Sequence, residues 1–134
     1  MNTKDRNDGQ ESRNIAVVLA NKILGVMAKT KSEWKTGTIS IGRNIGKEPM
    51  GESSWLRFKA DIMDLADNGE NKIHFIGGGN GYYEGTKEES FTVVFGADVT
   101  DLAEIGRHLP AIAKKYSQEA IALTVGTTEL FKAE

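Results

Sequence analysis

The segment KIHFIGGGNGYYEGTKEESFTVVFG, residues 72–96, gives the clearest indication of the fold. Residues 72–76 and 90–96 are rich in β-branched and aromatic side chains, and Phe91, Val93 and Phe95 alternate with their neighbours as in a strand with one buried face. Five glycines and two adjacent tyrosines lie between the two segments. The stretch therefore predicts an antiparallel hairpin whose strands are joined by a long loop over residues 77–90.

The predicted loop has two interpretations. Glycine lets a backbone approach a ligand closely, and tyrosine offers a flat face and a hydroxyl, so Tyr82 or Tyr83 would stack on a base while Asn80 reads its edge. A long hairpin connection needs glycine for turn geometry alone. Both interpretations remain open from the sequence.

Further elements follow on either side of the hairpin. Residues 38–42 predict a first strand, residues 53–66 a helix, and residues 120–125 a last strand. A second helix is predicted to start at Asp98 or two residues later, and Pro110 inside it should bend or interrupt it. The order strand, helix, strand, strand, helix, strand predicts an α+β domain of the ferredoxin-like βαββαβ type, with both helices on one face of an antiparallel sheet.

The segment before the first strand divides into two parts. Residues 1–13 are mostly polar or charged and predict a disordered leader. Residues 14–29 carry apolar side chains at helical spacing and predict an additional N-terminal helix, which would cover this domain's sheet or another subunit. The predicted organisation is a leader followed by a single α+β domain over residues 14–134.

Composition excludes several classes of protein. The net charge of −2 lacks the basic excess of a protein that binds duplex DNA, and the absence of cysteine removes disulfides and thiolate metal sites. Two histidines far apart in sequence do not predict a zinc site. The longest apolar stretch, residues 15–28, is too short and too polar to span a membrane, and no secretory signal is recognisable. We expect a cytoplasmic protein without cofactor or metal.

Arginines near glycine turns are the first candidates for ligand binding. Arg43 and Asn44 lie between two glycines directly after a predicted strand, where backbone amides and a guanidinium suit a phosphate or carboxylate. The spacing is not that of a phosphate-binding P-loop. An ordinary turn with a solvated arginine is the alternative, and Arg57 on the first helix likewise points either at a site or at water.

The candidate acid/base residues do not predict catalysis. Glu84, Glu88 and Glu89 form a carboxylate cluster, but acid/base chemistry needs two carboxylates in different environments facing one cleft, which a solvated hairpin tip does not provide. His108, beside Arg107, has the pattern of a surface residue. We therefore predict no catalytic residue and no enzymatic activity.

Four motifs together resemble a group of small ferredoxin-like proteins common in bacteria and their phages. The resemblance covers residues 36–126 and rests on residues 38–46 with Pro49, on Trp55 and Phe58, on residues 81–85 followed by Glu89 and Ser90, and on residues 116–121. Within that group the chain is similar to the Thoeris anti-defence sponges, which capture cyclic ADP-ribose-type immune signals without cleaving them.

The resemblance implies a phage-type, homo-oligomeric protein that sequesters a small cyclic nucleotide, either a cyclic ADP-ribose variant or a cyclic oligonucleotide. It also implies that Arg43, Arg57 and Arg107 hold the phosphates of the ligand. The loop residues Asn80, Tyr82 and Tyr83 would hold its base or ribose. Two alternatives remain. One is an interaction module that inhibits a host factor through residues 14–29 and a sheet edge, and the other is a nucleotide-cleaving enzyme that uses Glu88 or His108.

Overall fold

The computed structural model describes residues 33–133. Of the two units into which the chain divides, Trp34–Glu134 contains all the helices and strands described here. The predicted leader, residues 1–13, and the predicted helix, residues 14–29, lie outside the described residues and stay predictions. The single domain predicted over residues 14–134, which includes that helix, also stays a prediction.

The described unit combines one four-stranded antiparallel sheet with two helices. The sheet order is β4-β5-β1-β6, and a separate two-stranded ladder pairs β2 with β3. This architecture confirms the predicted α+β class. In chain order the elements are β1 Trp34–Gly42, β2 Asn44–Ile45, β3 Glu48–Pro49, α1 Glu52–Ala66, β4 Lys72–Tyr83, β5 Thr86–Asp98, α2 Val99–Lys115 and β6 Ala122–Gly126.

The two central strands carry the buried face of the sheet. On β1 the buried positions Ile39 and Ile41 alternate with more exposed ones, and on β5 the positions Val93, Phe95 and Ala97 are buried. The register pairs Ile39 with Val93, so these side chains lie side by side on one face. The period of two seen in the sequence therefore reports one face packed into the core.

Both helices contribute to the same core. Trp55, Phe58 and Ile62 of α1 recur at spacings of three and four, which places them on one side of the helix, and each is at most 1% exposed. Leu102, Ile105, Leu109 and Ala113 form the equivalent buried side of α2. The α1 side chains, the first three of these α2 side chains and those of β1 and β5 join in one hydrophobic cluster. The two helices therefore pack on the same face of the sheet.

The ends of the helices differ in how they are capped. The Asp98 side chain accepts a hydrogen bond from the Thr100 amide at 2.8 Å, so Asp98, one of the two predicted starts of α2, is its N-cap. α1 follows Gly51 without a side-chain cap. α2 is continuous through Pro110, so an interruption, one of the two effects predicted for this residue, does not occur. The buried residues Leu109 and Ala113 on either side of Pro110 hold the helix against the core.

A polar contact joins the two helices at the edge of the core. The Tyr116 hydroxyl donates to Asp61 Oδ2 at 2.7 Å, and Lys115 Nζ donates to the same oxygen at 2.9 Å. The Tyr116 ring stacks on Phe58 with a centroid distance of 4.6 Å. Burial alone would raise the pKa of Asp61, but the hydrogen bonds from Tyr116 and Lys115 outweigh it and lower that pKa. Asp61 is thus held in its ionised form.

Candidate functional site

The glycine- and tyrosine-rich segment is built into the sheet. The loop predicted over residues 77–90 is wrong, because β4 continues to Tyr83 and β5 begins at Thr86. Only Glu84 and Gly85 form the turn, and both have positive φ, 50° and 80°. This is the backbone of a two-residue hairpin turn that matches the twist of its strands. The segment is therefore an extended hairpin, whereas the prediction of a hairpin itself is confirmed.

The hairpin presents the three predicted loop residues on its outer part. Asn80 pairs with Glu89 across the ladder, Tyr82 with Lys87, and Tyr83 with Thr86. All three are exposed, and Tyr82 and Tyr83 retain 71% and 53% of their accessible surface. Two aromatic faces are thus available at the hairpin tip.

Tyr83 is tied to the other side of the domain. Its hydroxyl donates a hydrogen bond of 2.8 Å to Glu119 Oε1, in the segment between α2 and β6. That hydrogen bond, with the negative charges of Glu119 and Glu84, raises the pKa of Tyr83. The contact brings the hairpin tip to Glu119, which is part of a groove.

The groove lies between α2 and the segment leading into β6, with a volume of about 500 Å³. Pockets for small ligands have volumes of about 300–1,000 Å³ and combine an apolar lining with a few polar groups. Here α2 and the segment leading into β6 both contribute apolar side chains. The polar groups come from the last turn of α2 and the residues that follow it. The lining residues are Gly106, Leu109, Pro110, Ala113, Lys114, Gln118, Glu119, Ala120, Ile121 and Leu123.

Arg107 stands beside this groove. It follows the lining residue Gly106 and precedes Lys114 by seven residues, which is two turns of α2, so the two cations share one side of the helix. Arg107 also forms an ion pair with Glu104 three residues earlier, and His108 Nε2 lies 3.2 Å from Glu104 Oε2. Lys114 thus lines the groove, and Arg107, which is not part of the lining, lies beside it on the same side of α2.

Arg43 makes several contacts at the end of β1. Its Nη1 donates to Glu89 Oε1 at 2.8 Å, its Nε donates to the Met50 carbonyl at 2.8 Å, and its Nη2 lies 3.3 Å from Glu52 Oε1. Glu89 also accepts a 3.2 Å hydrogen bond from Trp55 Nε1. The hydrogen bonds from Arg43 and Trp55 lower the pKa of Glu89. In this arrangement the guanidinium connects β1, β5 and the start of α1.

Asn44 is held by its backbone. Its amide donates to Glu88 Oε1 at 2.8 Å, and its carbonyl accepts a hydrogen bond of 3.0 Å from Gln118 Nε2. Gln118 also lines the groove. Asn44 and the groove are therefore neighbours, even though Asn44 itself is not part of the lining.

Arg57 lies apart from these residues on the exposed side of α1. Its guanidinium nitrogens are 3.4 Å from the hydroxyls of Ser53 and Ser54, one turn earlier. The structure thus places the predicted ligand-binding residues in separate surroundings rather than in one cleft. Tyr83 and Arg107 border the groove, Arg43 and Asn44 join the network at the end of β1, Arg57 stands on α1, and Asn80 and Tyr82 lie on the hairpin.

Reasoning from the sequence missed Lys114, Gln118 and Glu119. Lys114 is one of two adjacent lysines in the last turn of α2, where lysine is ordinary because it complements the helix dipole, and Gln118 and Glu119 follow in a polar stretch after the helix. Gln118 and Glu119 belong to one of the motifs that carry the resemblance, but the resemblance implies no ligand contact for them. What makes these residues notable is their position on the groove, which depends on where β6 returns to the sheet.

Within residues 33–133, no group of three or more histidine, aspartate or glutamate side chains is placed to hold a metal ion. No helix in this part of the chain is long and apolar enough to cross a membrane.

Comparisons of the chain with protein-family models, with curated proteins and with solved structures found no match.

Proposed function

We propose that this protein is a non-catalytic, phage-type binding protein that sequesters a small cyclic nucleotide, a cyclic ADP-ribose variant or a cyclic oligonucleotide, and so withholds an immune signal from its receptor. The observation that carries the proposal is the groove beside α2, at which the hairpin tip meets Glu119 through Tyr83. The protein would act in the cytoplasm as a homo-oligomer and would need no cofactor.

The chemistry of the groove suits a nucleotide. Leu109, Ala113 and Leu123 offer an apolar surface for a base or ribose, and Lys114 offers an ammonium for a phosphate. Arg107 lies on the same side of α2 and would add a planar guanidinium, which matches the geometry of phosphate oxygens. Tyr83, at the Glu119 end, would place an aromatic ring against the base.

The remaining predicted residues would take supporting parts. Asn80 and Tyr82 lie on the same hairpin as Tyr83 and would contact a ligand larger than one nucleotide. Arg43 and Asn44 would hold the end of β1 and, through Gln118, the rim of the groove. Arg57 would reach a ligand only in an assembly of several subunits.

Contacts within the protein favour holding a ligand over cleaving it. Glu89 is bound by Arg43 and Trp55, and its lowered pKa keeps it ionised at neutral pH, where a general acid needs a proton to donate. Glu88 accepts the Asn44 amide, and His108 lies beside Glu104. The residues that the enzyme alternative would use are thus already engaged by protein groups.

We further infer that the fold is ferredoxin-like. The support is the connectivity: α1 links β1 to β4 with β5 between them, and α2 links β5 to β6 with β1 between them. This is the split βαβ arrangement repeated twice. The added N-terminal helix over residues 14–29 remains part of the proposal.

One experiment tests the function directly. The protein is purified from cells that make nucleotide immune signals, and the small molecules released by heat are identified by mass spectrometry. An intact cyclic nucleotide in near-stoichiometric amount is expected. Cleaved products would support the enzyme alternative, and the release of nothing, with no binding of added cyclic nucleotides in calorimetry, would refute the sequestering function.

Matched variants locate the site. Lys114→Gln should weaken nucleotide binding, whereas Lys47→Gln, in the exposed turn between β2 and β3, should not. Equal affinities of both variants would place the ligand elsewhere than in the groove.

A second candidate function has support from one observation. β4 is 12 residues long and stands at an edge of the sheet, and no strand within residues 33–133 pairs with its outer side, where a strand from another protein would add to the sheet. This would suit a module that inhibits a host factor. Gly78→Pro, which removes one amide donor from β4, should then weaken the partner's binding and leave nucleotide binding unchanged.

A further inference from the structure

The sheet has a second face, which we call the open face. On the central strands it consists of the residues that alternate with the buried ones: Thr36, Thr38, Ser40, Thr92 and Val94. Within residues 33–133, none of these five belongs to the hydrophobic cluster. Ser40 Oγ and Thr92 Oγ1, which lie 2.7 Å apart, are hydrogen bonded across this face. The centre of the open face therefore consists of short, uncharged side chains.

Two large aromatic side chains border this surface. Trp34 at the start of β1 is 46% exposed, and Phe75 on β4 is 56% exposed. The rings of Trp34 and His74 lie close to Gly96, and the Phe75 ring lies against Gly77. Glycines thus form the floor on which these rings rest, and the outer sides of the rings stay exposed. Exposed aromatic side chains around a neutral patch are typical of interaction surfaces.

We propose that the open face binds the open face of a second copy of this chain and forms a symmetric dimer. The open face would thus be the interface of the expected homo-oligomer, and the dimer would form without the nucleotide ligand.

The electrostatics of the face favour a protein surface over a nucleic acid. Binding to a phosphate backbone requires lysine and arginine across the surface, but the five central residues are threonine, serine and valine. Burying such a neutral face against an equal one leaves no unpaired charge at the centre of the interface.

The size of the face also fits a dimer. Three strands followed over the nine residues of β1 and the five residues of β6, at about 3.3 Å per residue and about 4.8 Å between strands, give a surface of roughly 500 Å². Two such faces would bury about 1,000 Å² in total, which reaches the lower size limit of specific protein interfaces.

The charges at the two ends of the face are complementary. Lys72 pairs with Gly96 at one end of the β4–β5 ladder, and Glu88 pairs with Gly81 toward the other end, both in register with the open-face positions. In a symmetric dimer whose second copy is turned end for end, the Lys72 end of one copy faces the Glu88 end of the other. This arrangement repeats on both sides of the two-fold axis.

The first test is the association state of two matched variants, measured by sedimentation equilibrium without nucleotide. Phe75→Glu should raise the dimer dissociation constant at least about thirtyfold, as for the loss of an interface hot spot. Leu56→Glu, at a 52% exposed position on α1, should leave it unchanged. A wild-type protein that is monomeric, or a dimer that both variants weaken equally, would overturn the proposal.

A second test does not depend on the stability of Phe75→Glu. The sequence contains no cysteine, so a single introduced cysteine is unique. Thr38→Cys lies near the middle of β1 on the open face, and a short bismaleimide that spans the distance of about 10 Å between facing sheets should cross-link it to its counterpart, whereas Leu56→Cys should not be cross-linked. No cross-link at position 38 in a protein that sediments as a dimer would place the interface elsewhere. Nucleotide titration of dissociated Phe75→Glu separately tests the proposed function.

Discussion

Arg43 and Glu89 form an ion pair with 2.8 Å between Nη1 and Oε1, across 46 positions of sequence. The same two residues are also joined through their backbones, since the Arg43 amide donates a hydrogen bond of 2.9 Å to the Glu89 carbonyl. Trp55 completes the link by donating its indole N–H to the same carboxylate. One carboxylate therefore joins the end of β1, the start of β5 and the first turn of α1, and this explains how a turn with an arginine between glycines becomes a fixed structure.

The first prediction concerns this network. Arg43→Ala should lower the free energy of unfolding by about 1–2 kcal/mol, because it removes hydrogen bonds to Glu89 and to the Met50 carbonyl. Arg57→Ala is the control. The Arg57 guanidinium donates to serine hydroxyls on the exposed side of α1 and attracts Asp61 weakly, so its loss should change the free energy of unfolding by less than about 0.5 kcal/mol. Urea unfolding measures both. Equal effects of the two substitutions would argue that Arg43 is as free as Arg57.

Much of the fold could be predicted from the sequence because it depends on local periodicity. The alternation of Phe91, Val93 and Phe95 predicts one buried face, and the spacing of Trp55 and Phe58 predicts a core-facing helix. The extent of β4 could not be predicted in this way. Glycine has a low intrinsic preference for strands, so residues 77–81 indicate a loop unless the ladder with β5 is already known.

The candidate site was less predictable for a different reason. Arg43 and Glu89 are distant in sequence, and so are Tyr83 and Glu119. A single sequence shows the types of these residues but not which of them meet. Lys114 gave no signal at all, because a lysine in the last turn of a helix has an ordinary electrostatic role.

The second prediction uses two glycines that differ only in their surroundings. A Cβ atom added to Gly37 would lie 2.7 Å from Leu102 and 2.9 Å from Phe95, so Gly37→Ala should overpack the core and lower stability by about 1–3 kcal/mol. A Cβ atom added to Gly79 meets nothing within 4 Å, and Gly79→Ala should be neutral or slightly stabilising. Thermal unfolding compares the two. A loss of stability in Gly79→Ala similar to that in Gly37→Ala would contradict the packing argument.

The third prediction concerns the hairpin turn. Gly85 has a φ of 80°, which side chains with a Cβ atom rarely adopt, so Gly85→Ala should lower the free energy of unfolding by about 1 kcal/mol. Glu84 has a φ of 50° without being glycine, and Glu84→Asn should raise stability by a few tenths of a kcal/mol, because asparagine tolerates this conformation better. Unfolding curves that moved in the same direction for both variants would refute the assigned turn.

The fourth prediction is a pH dependence. Asp61 and Glu89 both have pKa values lowered in the folded state, so their contribution to stability is present above the unfolded pKa values, about 4, and is lost as the pH falls through the folded ones. Stability should therefore decrease on acidification below about pH 4. Tyr116→Phe removes one hydrogen bond that lowers the pKa of Asp61, and it should make this decrease smaller.

Melting temperatures recorded between neutral and acidic pH provide the measurement for the fourth prediction. The control is Asp64→Asn, an exposed position on the same helix, which leaves the contact between Tyr116 and Asp61 in place. If the wild type, Tyr116→Phe and Asp64→Asn all lost the same stability on acidification, the contact between Tyr116 and Asp61 would have no part in the acid response.

The last prediction separates the two signs of charge at the groove. Glu119 places a carboxylate at one end of the groove and Lys114 an ammonium on its rim, so an anionic ligand is repelled by the first and attracted by the second. Glu119→Gln should therefore raise the affinity for a cyclic nucleotide by about threefold to tenfold, and Lys114→Gln should lower it by a similar factor. The glutamine at position 119 still accepts the hydrogen bond from Tyr83, so the hairpin tip stays in place and the change in affinity reports charge alone. Calorimetric titrations at low and high salt measure the effect, and both differences should shrink as salt screens the charges. Affinities that changed in the same direction for both variants would show that the ligand's phosphates do not lie in this groove.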